Sequence, residues 1–173
     1  EGGTGTAKTA LLSHLAEAGA QTLDLEALAA HRGSLFGATA APQPGQKLFE
    51  SRIAGALSEL DPTRITWVEA ESSTIGARSL PPALWSAMQS APRIEVSAPP
   101  AARAAYLAQA YSDLTQDART LRANIDRLRP YHAAEVIAAW QDLARSGSWA
   151  TLAQGLIEAH YDPRYAKSAA RSA

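Results

Sequence analysis

The stretch Glu1–Leu12, "EGGTGTAKTALL", decides which fold is expected for this chain. It matches the phosphate-loop template G-x-x-x-x-G-K-[ST] at Gly2, Lys8 and Thr9, and it departs from the template at Ala7, where glycine is expected. A glycine-rich turn that opens a helix aims backbone N–H groups at an anion, and the helix dipole adds partial positive charge. The stretch therefore predicts a phosphate site. The alternative is a glycine-rich turn with a chance lysine.

Each residue of this loop has an expected role. Lys8 would reach the terminal phosphates, and Thr9 would hold Mg²⁺. Ala7 places a methyl group where the backbone is strained by roughly 1–2 kcal/mol if it is left-handed. The predicted phosphate ligands are Gly2, Gly3, Gly5, Lys8 and Thr9. A phosphate loop normally follows a buried strand, so we expect this chain to be the C-terminal part of a longer protein.

Composition narrows the class of protein. The chain has 173 residues, of which 46% are hydrophobic and 19% charged, as in an ordinary globular domain. Cysteine is absent, which excludes disulfides, thiolate metal sites and a cysteine nucleophile within these residues. No apolar run approaches the roughly 20 residues that span a bilayer. We therefore expect a cytoplasmic protein with no membrane partner.

Periodicity predicts an α/β protein, a P-loop NTPase-like parallel sheet whose first strand is missing. Helices are expected from about Thr9 to Gly19, around Glu26 to Ala30, from Lys47 to Leu60 and after Pro81. Strands are expected at Gln21 to Leu25, in "RITWVEAE" and in "RIEVSAPP". From Ala101 onward the sequence is mainly helical, with breaks near Ser112, Pro130 and Gly147. We assign 1–100 to the α/β core and 101–173 to a helical part of the same domain.

Acidic residues follow the two early predicted strands. Glu69 and Glu71 come after "ITWV", where a parallel sheet presents its ligands. Asp24 and Glu26 come near the end of the other strand, with His31 and Arg32 nearby. Glu69, Glu71 and Asp24 are the predicted catalytic residues, with solvated carboxylates as the alternative. No two histidines have the spacing of a zinc site.

Arginines of the second half are candidates for binding anions. Arg103 begins a helix beside the predicted strand "RIEV", where it would approach a phosphate. Arg119, Arg122 and Arg129 share one face of a helix and would contact tRNA phosphates. Residues 100–173 carry 9 basic and 7 acidic residues, against 7 and 10 before them. A merely solvated surface is the alternative for all four arginines.

Several stretches together resemble the bacterial tRNA 2-selenouridine synthases. They are "GGTGTAKTALL", "DLEALAAHRGSLFG", "QPGQKLFE", "WVEAESSTIG" and "HYDPRY", in that order. The first is common to many families, whereas "DLEALAAHRGSLFG" together with "WVEAES" and "HYDPRY" is much more specific. The resemblance implies the P-loop part of a transferase that replaces sulfur by selenium in the wobble 2-thiouridine of tRNA.

The resemblance also implies partners and substrates. These are tRNA, selenophosphate, geranyl diphosphate (which forms a geranylated intermediate) and an N-terminal rhodanese-like domain that carries the catalytic cysteine. Since this sequence has no cysteine, the fragment alone is not expected to complete the reaction. His31, Arg32, His160 and Asp162 become candidates for contacting substrate. Leu28, Leu35, Phe36 and Trp67 are candidates for an isoprenoid pocket, with a place in the core as the alternative.

Two other functions remain open from the sequence. One is a P-loop kinase or NTPase that acts on a small metabolite, with Glu69 or Asp24 as its base. The other is a non-catalytic tRNA-docking module, which predicts no affinity for diphosphates.

Overall fold

The computed structural model describes residues 1–39, 41–70 and 72–166. They fall into two compact units. The first unit is Lys8–Glu95 together with Glu1, and the second is Gly2–Ala7 together with the described residues from Val96 onward. Whether 1–100 and 101–173 make one domain, as the sequence suggests, stays a prediction.

The first unit is a mixed α/β structure with a small parallel sheet. Strands β1 (Gln21–Leu23) and β2 (Thr66–Val68) run parallel, with Thr22 opposite Trp67. Strands β3 (Thr74–Ile75) and β4 (Arg78–Ser79) form an antiparallel hairpin. Its helices are α1 (Lys8–Glu17), α2 (Leu25–Ala29), α3 (Gln46–Ser58) and α4 (Pro82–Ser90). The expected mixture of helix and parallel strand is confirmed.

A core of apolar side chains holds this unit together. Phe49, Ile53 and Ile75 are at most 1% exposed, because α3 and the hairpin bury one face each. Val68 of β2 packs against the same cluster. This packing fixes the carboxyl ends of β1 and β2, the part of the sheet from which the next polar residues project.

Two predicted strands need correction. Leu25 lies in α2 and not in β1, because the Asp24 side chain accepts a hydrogen bond from the N–H of Ala27 and so starts the helix. The prediction of a strand in "RIEVSAPP" is wrong, because residues 93–99 form neither a helix nor a paired strand. Ile94 is 60% exposed and its carbonyl accepts a hydrogen bond from the Glu1 ammonium, but no described strand forms a ladder with this segment. Favourable β-propensity does not make a strand without a partner strand.

The second unit is helical, as expected. Its α-helices are α5 (Pro100–Ala110), α6 (Ser112–Gln116), α7 (Ala118–Asp126), α8 (Ala134–Ser146) and α9 (Trp149–Leu156), and Arg129–Tyr131 form a 3-10 turn. A π-helix at Ile157–Tyr161 continues α9. Ala104 and Leu107 of α5 pack against Ala153 and Ile157, which holds α5 beside α9. No described helix is long and apolar enough to cross a membrane.

Candidate functional site: a lysine, a threonine and two glutamates at the start of α1

The start of α1 brings Lys8 and Thr9 against a buried carboxylate. Lys8 Nζ lies 3.4 Å from Glu69 Oε1, and the Thr9 hydroxyl donates to Glu69 Oε2 at 2.8 Å. The Glu69 side chain is 7% exposed and that of Lys8 is 18% exposed. Glu69 follows β2 directly, so the sheet delivers it to the helix that Lys8 begins. The structure therefore joins three of the residues predicted from the sequence.

Glu26, which the sequence places with Asp24 near the end of the first strand but not among the predicted catalytic residues, joins this group. Its Oε2 lies 3.3 Å from the Thr9 hydroxyl oxygen. A hydroxyl has one proton, so Thr9 donates to only one of the two glutamates at a time. Glu26 lies in the first turn of α2, shortly after β1, which agrees with its expected place near the carboxyl end of that strand.

The other acidic candidates lie elsewhere. One carboxylate oxygen of Asp24 accepts the N–H of Ala27 at 2.8 Å as the N-cap of α2, and a catalytic role for Asp24 stays a prediction. Glu71 lies outside the described residues.

His31 and Arg32 stand in a turn of the first unit. His31 Nδ1 accepts a hydrogen bond from the N–H of Gly33, and burial lowers the pKa of the imidazole. The backbone N–H of Arg32 donates to the carbonyl of Gly37 at 2.8 Å. The contact of either residue with substrate stays a prediction. Of the isoprenoid-pocket candidates, Phe36 is buried and Leu28 packs against the core cluster.

The glycine-rich segment belongs to the second unit, where it lies against α5. A Cβ atom at Gly3 would come within 2.9 Å of Arg103 Nη2, and one at Gly5 within 2.9 Å of the Arg103 carbonyl oxygen. Gly5 also has φ +85°. A Cβ at Gly2 would lie 2.3 Å from the carbonyl oxygen of Val96. At Gly2 and Gly5 only glycine fits without a shift of the backbone, whereas a Cβ at Gly3 would displace the Arg103 side chain.

Arg103 is held by two partners. Its Nε donates to the Thr4 carbonyl at 2.8 Å, and its two terminal nitrogens donate to the Asp162 carboxylate at 2.6 and 3.0 Å. The structure thus joins Arg103 and Asp162, which the sequence placed in different groups of candidates. Phosphate binding by Arg103 stays a prediction.

Ala7 has the left-handed backbone that its position in the motif suggested, with φ 60°. Ala7→Gly should raise the free energy of unfolding by about 0.5–1 kcal/mol, because relief of left-handed strain outweighs the extra freedom of glycine in the unfolded chain. Urea unfolding measures the change. Ala30→Gly, at φ 49°, is a matched positive control. Ala16→Gly, inside α1, should destabilise by a similar amount, and a loss of stability in Ala7→Gly would contradict the assignment.

His160 lies in an aromatic cluster of the second unit. The π-helix buries its ring, whose Nδ1 is 3.0 Å from Nε2 of His132, and the His132 ring meets Trp140 edge-on at 4.8 Å. Burial, with Arg164 and His132 nearby, lowers the pKa of His160 to about 4. A role for His160 in contacting substrate stays a prediction.

This lowered pKa predicts that stability depends on pH. The unfolded chain takes up a proton near pH 6.5 and folded His160 only near pH 4, so the free energy of unfolding should fall as pH drops through that window. We expect a loss of about 1–2 kcal/mol after allowing for solvent screening. Urea unfolding at pH 7 and pH 4.5 measures it. His160→Gln should flatten the dependence, whereas His14→Gln, on the surface of α1, should not. An equal slope in both variants would exclude His160 as the source.

The three arginines proposed for tRNA lie on the outside of the second unit. Arg119 and Arg122 are exposed on α7, while Leu121 and Ile125 are buried on its other face. Arg129 is also exposed and pairs with Asp126, Nε to Oδ1 at 2.9 Å. Helix α7 is amphipathic as expected, but it ends at Asp126, so Arg129 lies in the 3-10 turn that follows and does not share a face of this helix. Contact of the three arginines with tRNA stays a prediction.

Comparison with known proteins finds relatives for the first part of the chain. Residues 1–131 match the family described as the tRNA 2-selenouridine synthase AAA domain. A tRNA 2-selenouridine synthase of Cupriavidus pinatubonensis (strain JMP 134 / LMG 1197) is 42% identical over 97 residues, which are 55% of this chain and 25% of that protein. The proteins of that name from Shewanella sp. (strain MR-7) and Serratia proteamaculans (strain 568) are 45% and 40% identical, over 52% and 65% of this chain.

The matched stretch is short relative to these proteins. It spans 24% of the Shewanella protein and 30% of the Serratia protein. No solved structure matches the chain significantly.

Proposed function

The chain belongs to the tRNA 2-selenouridine synthase AAA domain family, and from that membership we propose that it is the phosphate-binding part of an enzyme that modifies tRNA. The resemblance inferred from the sequence is confirmed at the level of the family. We propose further that the whole protein exchanges sulfur for selenium in wobble 2-thiouridine. In this proposal selenophosphate supplies the selenium, and a rhodanese-like domain outside this chain supplies the cysteine.

The P-loop NTPase-like fold is part of the proposal. Two features of the first unit support it: Lys8 opens a helix directly after the glycine-rich segment, and Glu69 follows a strand of a parallel pair. In folds of this type ligands bind at the carboxyl ends of parallel strands, which is where Glu69 stands.

The observation that carries the proposed function is the bonding of Lys8 and Thr9 to Glu69. The ion pair holds the ammonium group at the first residue of α1, where the helix dipole also favours an anion. If a diphosphate binds there, its oxygens would replace the Glu69 carboxylate as the ion-pair partner of Lys8. The site is thus prepared for a phosphorylated substrate and not for a neutral one.

Geranyl transfer explains why such a site would be useful. The thiouridine sulfur attacks C1 of geranyl diphosphate, the C–O bond breaks, and diphosphate leaves with the bonding electrons while the proton of the thiouridine is released. Negative charge grows on the leaving oxygens, so the fixed Lys8 and the backbone N–H groups at the start of α1 would stabilise the transition state more than the substrate. No step of this reaction requires ATP.

The residues present fit a magnesium ion. Thr9 Oγ and the carboxylates of Glu26 and Glu69 are hard oxygen donors, and both carboxylates lie within hydrogen-bonding distance of Thr9 Oγ. The described residues contain no group of three or more His, Cys, Asp or Glu side chains arranged for a metal. We therefore propose that Mg²⁺ is held by these oxygens together with substrate phosphates, which is its usual mode beside phosphorylated ligands. When bound, it would neutralise charge on the leaving diphosphate.

Calorimetry with three ligands tests the proposed function. Geranyl diphosphate and inorganic pyrophosphate should bind, and ATP should bind more weakly and release no phosphate. Binding that is tightest for ATP, with steady phosphate release, would indicate a kinase or NTPase instead. Failure of all three to bind, with Mg²⁺ present, would contradict a phosphate site and leave a tRNA-docking module.

A further inference from the structure

The buried guanidinium of Arg103 contacts the glycine-rich segment on one side and Asp162 on the other. The side chain of Arg103 is 8% exposed and that of Asp162 is 39% exposed. Both terminal nitrogens face both carboxylate oxygens, at 2.6 and 3.0 Å, in the two-pronged geometry that fixes the plane of a guanidinium. Together with the hydrogen bond from Nε to the Thr4 carbonyl, these two bonds hold the guanidinium in a single orientation.

The contact with Thr4 also sets the direction of the loop. A trans peptide points its carbonyl and its N–H in opposite directions, and no described peptide is cis. Because Arg103 takes the Thr4 carbonyl, the N–H of Gly5 in the same peptide points away from the guanidinium. Inside the loop, the N–H and the hydroxyl of Thr6 both donate to the Gly3 carbonyl. The carbonyl groups of Gly3 and Thr4 are thus occupied within the protein, and the N–H of Gly5 faces the other way.

We propose that Asp162 is a positioning residue for the phosphate loop, which acts by holding Arg103 against the carbonyl side of the loop. The inference rests on the proposed function for its link to diphosphate binding, but the geometry of the loop is testable without a ligand. Arg103 then shapes the loop from behind and does not need to touch the phosphate. We call this pair the Arg103–Asp162 clamp.

The clamp links the end of the helical unit to the glycine-rich segment. Asp162 immediately follows the π-helix, outside the residues 1–131 that match the family. The wide turn of a π-helix shifts the residues after it around the helix axis, relative to an uninterrupted α-helix. Ile157 of the π-helix packs against Ala104 of α5, one residue from Arg103. The apolar contact fixes the distance between the two elements, and the ion pair fixes the guanidinium.

Asp162→Asn tests the clamp, because it keeps the size of the side chain and removes its charge. Amide hydrogen exchange at Thr6, whose N–H is bonded to Gly3, should become at least about 5-fold faster without any ligand. Affinity for pyrophosphate, measured by calorimetry, should fall about 10-fold. Arg103→Lys keeps a positive charge but cannot bind two partners in this geometry, so it should have the same effects.

Asp142→Asn is the matched control. Asp142 pairs with Arg145 on the exposed surface of α8, and its replacement should change neither quantity. Circular dichroism establishes whether each variant is folded. If Asp162→Asn does not fold, the exchange and affinity of Arg103→Lys are compared with those of the wild-type chain instead.

Three outcomes are decisive. Unchanged exchange at Thr6 in the folded variant overturns the clamp, as does full pyrophosphate affinity in Arg103→Lys and Asp162→Asn. If the wild-type chain binds no pyrophosphate, the proposed function fails, and the exchange comparison still decides the clamp.

Discussion

Replacement of Lys8 by alanine is expected to weaken diphosphate binding by about 10- to 100-fold, the equivalent of one charge-assisted hydrogen bond. Two effects add in the same direction. The variant loses the ammonium group at the start of α1, and it leaves the carboxylate of Glu69, 7% exposed, without its ion-pair partner. An unpaired carboxylate would repel the incoming anion. Calorimetry with geranyl diphosphate measures the change.

Two further variants make this prediction specific. Lys47→Ala removes an exposed lysine near the start of α3 and should leave the affinity unchanged. Lys8→Ala combined with Glu69→Gln should recover part of the lost affinity, since the amide no longer repels the diphosphate. If Lys8→Ala binds as tightly as the wild-type chain, the lysine has no part in the site.

The sequence predicted the elements whose signals are local. Lys8 after glycines starts a helix, Pro81 and Pro82 start another, and the β-favouring residues of "TWV" form a strand. The hairpin of β3 and β4 was missed because each strand has two residues, too few for a periodic pattern, and depends on Gly76 with φ 59° at its turn. The strand expected in "RIEVSAPP" failed for the opposite reason, because a clear local pattern has no partner strand.

The sequence predicted those residues of the candidate site that lie at the end of a strand or within a motif. Glu69 was found because it follows a strand, and Lys8 because it belongs to a motif. The contact of Glu26 with Thr9 and the pairing of Arg103 with Asp162 could not be predicted from the sequence, since they join residues that are 17 and 59 positions apart, respectively. Contacts of that kind follow from packing, which no periodicity or motif reports.

The exposed arginines of the second unit are expected to set the salt dependence of tRNA binding. Every arginine that contacts a phosphate releases counterions, so its loss lowers the slope of log affinity against log salt by up to about one unit. The variant with Arg119, Arg122 and Arg129 all replaced by alanine should therefore have a clearly shallower slope. Titration of tRNA at several salt concentrations measures it.

The structure predicts unequal contributions within this set. Arg129 already pairs with Asp126, so it must exchange a carboxylate for a phosphate, and its loss should lower the slope less than that of Arg119 or Arg122. Arg145→Ala is the control, since Arg145 is exposed but pairs with Asp142 on α8. An unchanged slope in the triple variant would mean that these three arginines are only solvated. Equal losses at all three positions would mean that the Asp126 pair does not persist in solution, because a maintained ion pair reduces the charge available to tRNA.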